Sequence, residues 1–597
     1  MLKPTPFSSL SSWKQTLLIV LFLEIGALIL FGGHAGSYAL WDPWEPKYPH
    51  TVGNMLERND LLTPYYDDKP RWTKPPLHYW VMLPGIAAFG QSAFMARLPS
   101  IIAATLGVIG VFLILARLFD RTTGIIAALV LASIPQYAAM ARQAMPDMLM
   151  TFFLLAAMIS LALARFDKGV SSRWSLLFYL FLGFAFMTKG PVTLAIAVGA
   201  LLVDATWYFS NRGTSPPTTY GARYFILFKE IWRGALRHKL LLGSALFMVI
   251  VVPWYALTWW EYGTHFTAAL NFENLQRFRE PVREHNGLVG YYVTTFFQGM
   301  LPWSALLLAG LPALLHANSR KTADLDTPTR HTTDDQRIIW YFFSWFIATF
   351  FIFTAAGTKL PHYLLPLTPS VAILVAILLR LILTGRDSPR LSRIYPVAAL
   401  LLILPFRDFN MEGNKYLLYN FTIIDREILH IPNLDNLLVI LCLVWISLMV
   451  WAFFNRQSRR TVAMILLVAL LNVFYLSHHI IPGHFTGRDI TPHLAHKADI
   501  QGPDSEILFV GSIQTSHDYT LTFHQSAPVR RIPASRADRR LMPVIREVDD
   551  LYIITGKWNL MTLLTLLSKH GIREEWTIFD HPDSWYLMLY RIPQNEG

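Results

Sequence analysis

Apolar runs of about 17 to 22 residues recur from one end of this chain to the other, and each is long enough to cross a hydrocarbon core about 30 Å thick. Inside lipid no water satisfies the backbone, so a run that crosses must close its own hydrogen bonds as a helix. The runs fall near 15–33, 98–116, 122–140, 148–166, 174–188, 190–209, 240–260, 291–316, 338–357, 363–384, 394–405, 435–454 and 461–481, about thirteen in all. Of the 597 residues, 53% are hydrophobic and only 15% charged, the balance of a membrane protein. The expected fold class is an α-helical polytopic membrane protein.

The formal charge of +11 invites a nucleic-acid reading, but the positions of the basic residues exclude it. With the N-terminus inside, alternate loops hold Arg117 and Arg121; Arg165, Lys168 and Arg173; Arg212 through Lys239; Arg320 through Arg337; Arg386, Arg390 and Arg393; and Arg456, Arg459 and Arg460. This is the distribution of a chain whose basic loops stay cytoplasmic. The first run follows Lys3 and Lys14 like a signal peptide, yet it is longer than a usual signal core and reads as an uncleaved first span. Segments 34–97, 141–147, 261–290, 358–362, 406–434 and everything after 481 then face outward. Keeping this order requires the apolar stretch Leu77 to Phe89 to be a partial or interface-lying helix. The single cysteine, Cys442, sits in an apolar run and permits no disulfide framework.

After residue 481 the pattern changes. ILFVGS, LYIIT, EEWTIF and WYLMLYR read as short strands around the helical stretch NLMTLLTLLSKHG. The expected organisation is a transmembrane domain over 1–481, with outer loop 34–97 and its juxtamembrane helices, and a small α/β domain over 482–597 on the outer face. No Walker motif and no glycine-rich dinucleotide loop is present, so ATP-driven and dinucleotide chemistry are not expected.

The outer segments carry the chemistry. LWDPWEPKY brings Asp42 and Glu45 to the lipid boundary, and Tyr48, Val52, Met55 and Leu56 follow helical spacing, as in a helix lying on the membrane surface. A solvated, capped loop would explain the two acids equally well. WTKPPLHYW places Lys74 before two prolines at a helix entry, where it serves either a phosphate or phospholipid anchoring. Asp147 begins an apolar run, where N-capping is the plain alternative. Arg277 and its neighbours Arg279 and Arg283 lie on a face that ordinarily lacks basic residues, offset by Glu273, Glu280 and Glu284. Lys189 stands between two apolar runs, and Lys359, His362 and Tyr363 stand at another outer helix end. Cations at lipid depth suit a phosphate, and a carboxylate beside them suits removal of a proton from an attacking group. A lipid-linked phosphate, already a workable leaving group, fits this pattern.

Together these segments resemble the protein O-mannosyltransferase and aminoarabinose transferase superfamily, the PMT/ArnT-like integral-membrane glycosyltransferases of the GT-C fold. The resemblance runs through W-x-P-x-E-x-x-Y, N-D-L-L-T-P-Y, K-P-P-L-x-Y-W, A-R-L-P-S, A-R-x-A-M-x-D, T-K-G, Q-R-F and K-L-P-H-Y-L-L-P, in family order over about residues 40 to 366. It implies a multi-pass inner-membrane enzyme with a cytoplasmic N-terminus and a periplasmic C-terminal domain. Such an enzyme moves a sugar, with inversion, from a polyprenyl-phosphate carrier to a lipid, glycan or protein acceptor. It also implies that Lys74, Arg277 and Tyr363 contact the donor phosphate and that Asp147 is the second acidic position, a catalytic candidate beside Asp42 and Glu45; Lys189, at the T-K-G position, and Lys359 are taken as further donor-phosphate-binding candidates.

Two departures qualify the resemblance. Relatives commonly read P-D-E with the aspartate as catalytic residue, whereas this chain reads Pro43-Trp44-Glu45, leaving either Asp42 or Glu45 as base. The pair associated with zinc in the aminoarabinose transferases is replaced by Thr73 and Asn274, which puts a metal at that site and aminoarabinose specificity in question and leaves a divalent metal as an open alternative, with no cofactor firmly expected. The other histidines, with His478, His479 and His484 clustered after the last run, fit no strong zinc spacing. Two rival readings remain at this point. A carrier for polyprenyl-linked substrates would place polar groups at the bilayer midplane, where Glu24 is the main acid; an inactive scaffold would follow from the altered P-D-E segment.

Overall fold

The computed structural model describes residues 12–40, 45–66, 69–167, 173–210, 220–279, 290–315, 332–384, 393–408, 434–455 and 459–482, and six short segments of the tail between 506 and 590. The protein is a mostly helical polytopic membrane protein. Among the described residues eight helices are long and apolar enough to cross a bilayer, or ten if each of two bent pairs counts as one span. Every apolar run of the sequence coincides with helix, but Trp174–Lys189, Ile394–Ile403 and Ile440–Phe454 are shorter than the span criterion.

The first half builds the frame of the site. Helix α1 (Ser12–Gly32) is followed by the short α2 (Lys47–Glu57), which buries Tyr48, Val52 and Met55 as the sequence spacing predicts. A two-stranded ladder, β1 (Tyr65–Tyr66) with β2 (Lys69–Pro70), leads to α3 (Leu77–Phe89). At 1.5 Å per residue the 13 residues of α3 rise about 20 Å, too little to cross. Helix α4 (Ala93–Leu118) is capped by Ser92, whose hydroxyl accepts from the Met95 N–H.

The expected span 122–140 is broken. Helix α5 (Arg121–Ala132) meets α6 (Pro135–Ala141) at 68°. Ile134 is extended and Pro135 supplies no N–H, so the helix cannot run through. Helices α7 (Pro146–Phe166), α8 (Trp174–Lys189), α9 (Val192–Ser210), α10 (Tyr220–Arg237), α11 (Leu240–Tyr262) and α12 (Thr264–Asn271) follow. α10 is strongly amphipathic and occupies what the sequence reading left as a basic loop. After α12 the backbone widens into a π-turn, Phe272–Gln276, before α13 (Arg277–Arg279).

A second broken span joins α14 (Tyr291–Gly299) and α15 (Trp303–Leu315) at 105°. Helix α16 (Thr332–Ala355) is followed by a 3-10 segment, Pro361–Leu367, and α17 (Thr368–Thr384), which is buried almost throughout. Helices α4, α5, α7, α15 and α17 enclose the apolar centre of the bundle.

In the tail, β3 (Glu506–Gly511), β4 (Val529–Pro533), β5 (Leu551–Gly556), β6 (Thr577–Asp580) and β7 (Tyr586–Tyr590) form one sheet in the order β4-β3-β5-β7-β6, with helix Leu560–Lys569 after β5. β4, β3 and β5 run parallel, while β7 and β6 are antiparallel. The sequence pattern located β3, β5, β6, β7 and the helix but missed β4. Its VRRIP is charged and ends in proline, the composition of an edge strand rather than a half-buried one.

Candidate functional site

Two arginines to which the sequence pattern gave no role in the site, Arg97 and Arg142, organise the acidic segments. Arg97, fully buried in α4, uses all five of its N–H donors. Nη1 donates to the carbonyls of Ala35 and Tyr38, Nη2 to that of Ala39, and Nε and Nη2 to Glu45 Oε1 and Oε2 at 3.0 and 2.7 Å. Glu45 Oε1 also accepts the Ala144 N–H at 2.6 Å. Arg142 donates to the carbonyls of Leu30, Phe31 and Gly33, satisfying the end of α1 that would otherwise be left unpaired.

This corrects one expectation. Glu45 is buried and holds a guanidinium fork and a backbone N–H, so its carboxylate is a brace between three chain segments and is poorly placed to act as a base. Asp42, the other candidate, lies outside the described residues.

Lys74 and Arg277 converge. Lys74 stands just before Pro75, Pro76 and the start of α3, as the sequence predicts for a helix entry. Arg277 follows the π-turn, and its segment is docked by backbone bonds from Gly357 and Thr358 N–H to the carbonyls of Phe278 and Arg277. The two cations meet at one oxygen: Lys74 Nζ lies 3.2 Å and Arg277 Nη1 2.8 Å from Glu273 Oε2. Burial alone would raise the Glu273 carboxyl, but Lys74 and Arg277 outweigh it and hold it below the usual range. Burial lowers Lys74 beneath an ordinary lysine, with the Arg277 charge adding to it against the pull of Glu273.

Lys47 and Arg71 enlarge the positive cluster. Arg71 donates to the Lys47 carbonyl and its guanidinium lies 5.3 Å from the centre of the Tyr48 ring. Lys47 is pushed well below an ordinary lysine, first by burial and then by Arg71, Lys74 and Arg277. Sequence reasoning missed Lys47, Arg71 and the role of Glu273. Lys47 in WEPKY and Arg71 in PRWTK adjoin the motifs that were read, and only folding shows which cations face inward.

Asp147 occupies the first turn of α7, buried and aimed away from a simple capping role. Its carboxylate pairs with Lys189, and His362 Nε2 lies 3.7 Å from the same oxygen. Lys189 is the last residue of α8, and Gly190 ends that helix with φ at +85°, a conformation glycine adopts without strain. The Lys189 ammonium also lies 4.7 Å from the centre of the Tyr363 ring. Asp147, Lys189, His362 and Tyr363 are thereby one group, and the charges of Lys74 and Arg277 act on it.

Lys359 is not part of it. Its Nζ donates to the carbonyls of Thr354 and Ala356 and faces the Tyr292 ring, capping the end of α16. That corrects its assignment to the donor phosphate: a cation committed to helix-end carbonyls is already satisfied.

The residues at the zinc-associated positions do not fit a metal. Thr73 offers a hydroxyl, and the Asn274 amide is turned to donate to the Leu270 carbonyl at 2.9 Å. Neither is a thiolate, imidazole or carboxylate, the donors zinc takes. Among the described residues no three histidine, cysteine or acidic side chains come together elsewhere. His34 and His478 pair through their Nδ1 atoms at 3.3 Å, while His484 lies outside the described residues.

Residues 73–228 match the sequence model of the dolichyl-phosphate-mannose-protein mannosyltransferase family. An undecaprenyl phosphate-alpha-4-amino-4-deoxy-L-arabinose arabinosyl transferase of Erwinia tasmaniensis is 27% identical over 351 residues, 57% of this chain and 55% of that relative. The counterpart from Yersinia pestis is 26% identical over 345 residues. The chain thus matches about half the length of these curated relatives. In three dimensions it superposes on ArnT of Cupriavidus metallidurans, crystallised with undecaprenyl phosphate, with a TM-score of 0.66 at 18% identity, covering 97% of this chain and 99% of that one. The fold is shared over nearly the whole length, and the sequence likeness includes the segment that carries Lys74, Asp147 and Lys189. The chain is thus similar to the dolichyl-phosphate-mannose-protein mannosyltransferase family over residues 73–228 and shares the fold of ArnT over nearly its whole length.

Proposed function

We propose that the protein transfers a sugar, with inversion, from a polyprenyl-phosphate carrier to a hydroxyl acceptor at the outer face of the inner membrane. The convergence of Lys74 and Arg277 on a single oxygen of Glu273 carries this reading, because a lipid phosphate can take the place of that carboxylate between the two cations. The relatives named for undecaprenyl-phosphate sugars and the undecaprenyl phosphate in the related ArnT crystal support the choice of donor.

In the reaction proposed, Asp42 accepts the proton of the acceptor hydroxyl as its oxygen attacks the anomeric carbon. The bond from that carbon to the phosphate oxygen breaks, and polyprenyl phosphate leaves as a monoester with one more negative charge than the diester it came from. Lys74 and Arg277 stabilise that added charge in a site with little water. Tyr363 supports Arg277 and Lys189, and the Asp147–Lys189 pair fixes the wall opposite Glu273. The N-terminus is assigned to the cytoplasm, and the tail sheet within 482–597 to the periplasm, where it would flank the acceptor, a lipid, glycan or protein.

The test is turnover. Purified protein in vesicles is given labelled undecaprenyl-phosphate sugars and envelope extract, and label is expected in the acceptor fraction and lost with Asp42→Asn. Absence of turnover of every donor beside an active control enzyme would overturn the proposal, and so would full activity of Asp42→Asn together with full activity of Lys74→Ala. The carrier reading gains nothing from the fold, since the ion pairs gather at helix ends and Glu24 lies on a partly exposed face of α1.

A further inference from the structure

Helix α10 has no part in the site described above, and its side chains are laid out in three stripes. Ile231, Gly234 and Ala235 share one face at helical spacing and are half-buried where α10 packs against α9 and α11. Beside them Phe228, Trp232 and Leu236 follow one another four residues apart and keep 43 to 65% of their surface open. The rings of Phe228 and Trp232 stack with their centres 6.5 Å apart. Lys229, Arg233 and Arg237 each come one residue after an apolar neighbour, and a helix turns about 100° per residue, so they form a parallel exposed stripe on the flank away from the bundle. Between Tyr220 and Lys239 the only acid is Glu230, against Arg223, Lys229, Arg233, Arg237 and Lys239, and it can offset no more than one of them.

The place of the helix says what lies beside these stripes. α10 connects α9 and α11, both long and apolar enough to cross a bilayer. The end of one span and the start of the next lie at the same membrane surface, and so does the helix that joins them. Its last turn is pinned there, with His238 Nδ1 3.0 Å from the hydroxyl of Ser175 at the start of α8. Burial, with Arg165 and Arg237 adding to it, lowers His238 to about 4, so the ring is neutral and acts through that hydrogen bond. Apolar side chains on a surface-lying helix sink into the acyl boundary, a depth that tryptophan favours, and cations beside them then stand at the level of the phosphates. A zwitterionic headgroup cancels its phosphate with its own ammonium. A headgroup of net negative charge does not, and each Lys or Arg near such a surface strengthens attachment about five-fold.

We infer that α10 is a docking surface for anionic phospholipids of the bilayer, with Phe228, Trp232 and Leu236 in the acyl boundary and Lys229, Arg233 and Arg237 at the phosphates. This surface is separate from the donor site and independent of the reaction proposed there.

Native mass spectrometry of the purified full-length protein, offered equal amounts of phosphatidylglycerol and phosphatidylcholine with identical acyl chains, reads which lipid is retained. The wild type is expected to retain phosphatidylglycerol at least five-fold over phosphatidylcholine, and the triple variant Lys229→Gln, Arg233→Gln, Arg237→Gln less than two-fold. Arg459→Gln with Arg460→Gln, which removes two exposed cations at the start of another apolar helix, is expected to keep the wild-type preference. Thermal unfolding verifies that each variant is folded; if the triple variant is not, Lys229→Gln and Arg237→Gln singly take its place, each lowering the preference two-fold or more. A second measurement removes no charge. With Cys442→Ala as background, a nitroxide attached at Phe228→Cys in phosphatidylglycerol-containing vesicles is expected to be more accessible to oxygen than to a water-soluble nickel chelate. Equal retention of the two lipids by the wild type overturns the inference, and so does an unchanged preference in the folded α10 variants. An equal loss in the Arg459 and Arg460 variant, or a label at residue 228 open to nickel, overturns it as well.

Discussion

Glu45 and Glu273 each meet a guanidinium, Arg97 and Arg277, yet the two pairs are built for different ends. Around Glu45 everything is closed: Arg97 has no exposure and every donor placed, and the pair ties residues 35–39, α4 and the connection before α7 together. Around Glu273 the geometry is lopsided. Two cations share one oxygen, both retain about a fifth of their side-chain exposure, and the charges of Lys47 and Arg71 act nearby. A buried pair that is fully satisfied holds segments in place, and removing one partner strands the other charge. An excess of cations around one small anion is unfavourable by itself and becomes favourable when a second anion arrives. The first arrangement is framework, and the second is the one proposed above to receive the lipid phosphate.

The largest effect expected from this contrast is on folding. Arg97→Ala should destabilise the protein by about 3–5 kcal/mol, since it leaves Glu45 buried without its partner; thermal unfolding in detergent measures it. Replacing both, as Arg97→Met with Glu45→Leu, should recover much of that loss, and if it did not, the pair would be more than a brace.

Next comes catalysis. Lys74→Ala and Arg277→Ala should each reduce kcat by about 10²–10³, the cost of losing one charge-stabilising contact, while unfolding temperatures stay near wild type. Steady-state rates with a saturating acceptor check this, and stability losses as large as that of Arg97→Ala would erase the distinction between the two regions.

Glu273→Gln should act in the opposite direction. With the competing carboxylate gone, undecaprenyl phosphate should bind about ten-fold tighter, or about 1.4 kcal/mol, as followed by intrinsic tryptophan fluorescence. Weaker binding would mean that Glu273 holds the cations in place more than it competes with phosphate.

The pH dependence follows with its sign. Lys74 and Lys47 are depressed, so they lose their protons at lower pH than ordinary lysines, and the phosphate needs their charged forms. Above about pH 7.5 a phosphate monoester is already dianionic, its second pKa being about 6. Affinity for undecaprenyl phosphate should therefore fall as pH rises from there, at lower pH than an ordinary lysine would allow. Calorimetric titrations at stepped pH would detect this, and flat affinity up to the normal lysine range would remove both lysines from the phosphate site. The smallest effect belongs to Lys359→Met: about 0.3–1 kcal/mol of stability, as for a cation at a helix end, with turnover unchanged.

Much of this contrast was invisible in the linear chain, and the reasons are specific. WDPWEPKY shows an acid pair, and nothing in it tells that Glu45 faces Arg97, which belongs to a motif read for its family likeness alone. Lys359 and Lys189 both end apolar runs and read alike. One turns back on its own helix carbonyls and the other reaches Asp147, a choice made by the backbone reversal at Gly190 and by the packing of α7 on α8. Two spans that looked continuous are broken near Pro135 and Pro302, bends whose angles depend on what packs into them.

The sequence by itself determined the class of protein, the places of its long apolar helices, the amphipathic helix α2, the short α3 and four of the five tail strands. These follow from run length and from periods of two and 3.6, which are local properties. Only the tertiary structure decided which charges are partners: Lys74 with Glu273 and Arg277, Asp147 with Lys189, Glu45 with Arg97. The energy of an ion pair depends on distance and on burial, and neither exists until helices far apart in the chain have packed.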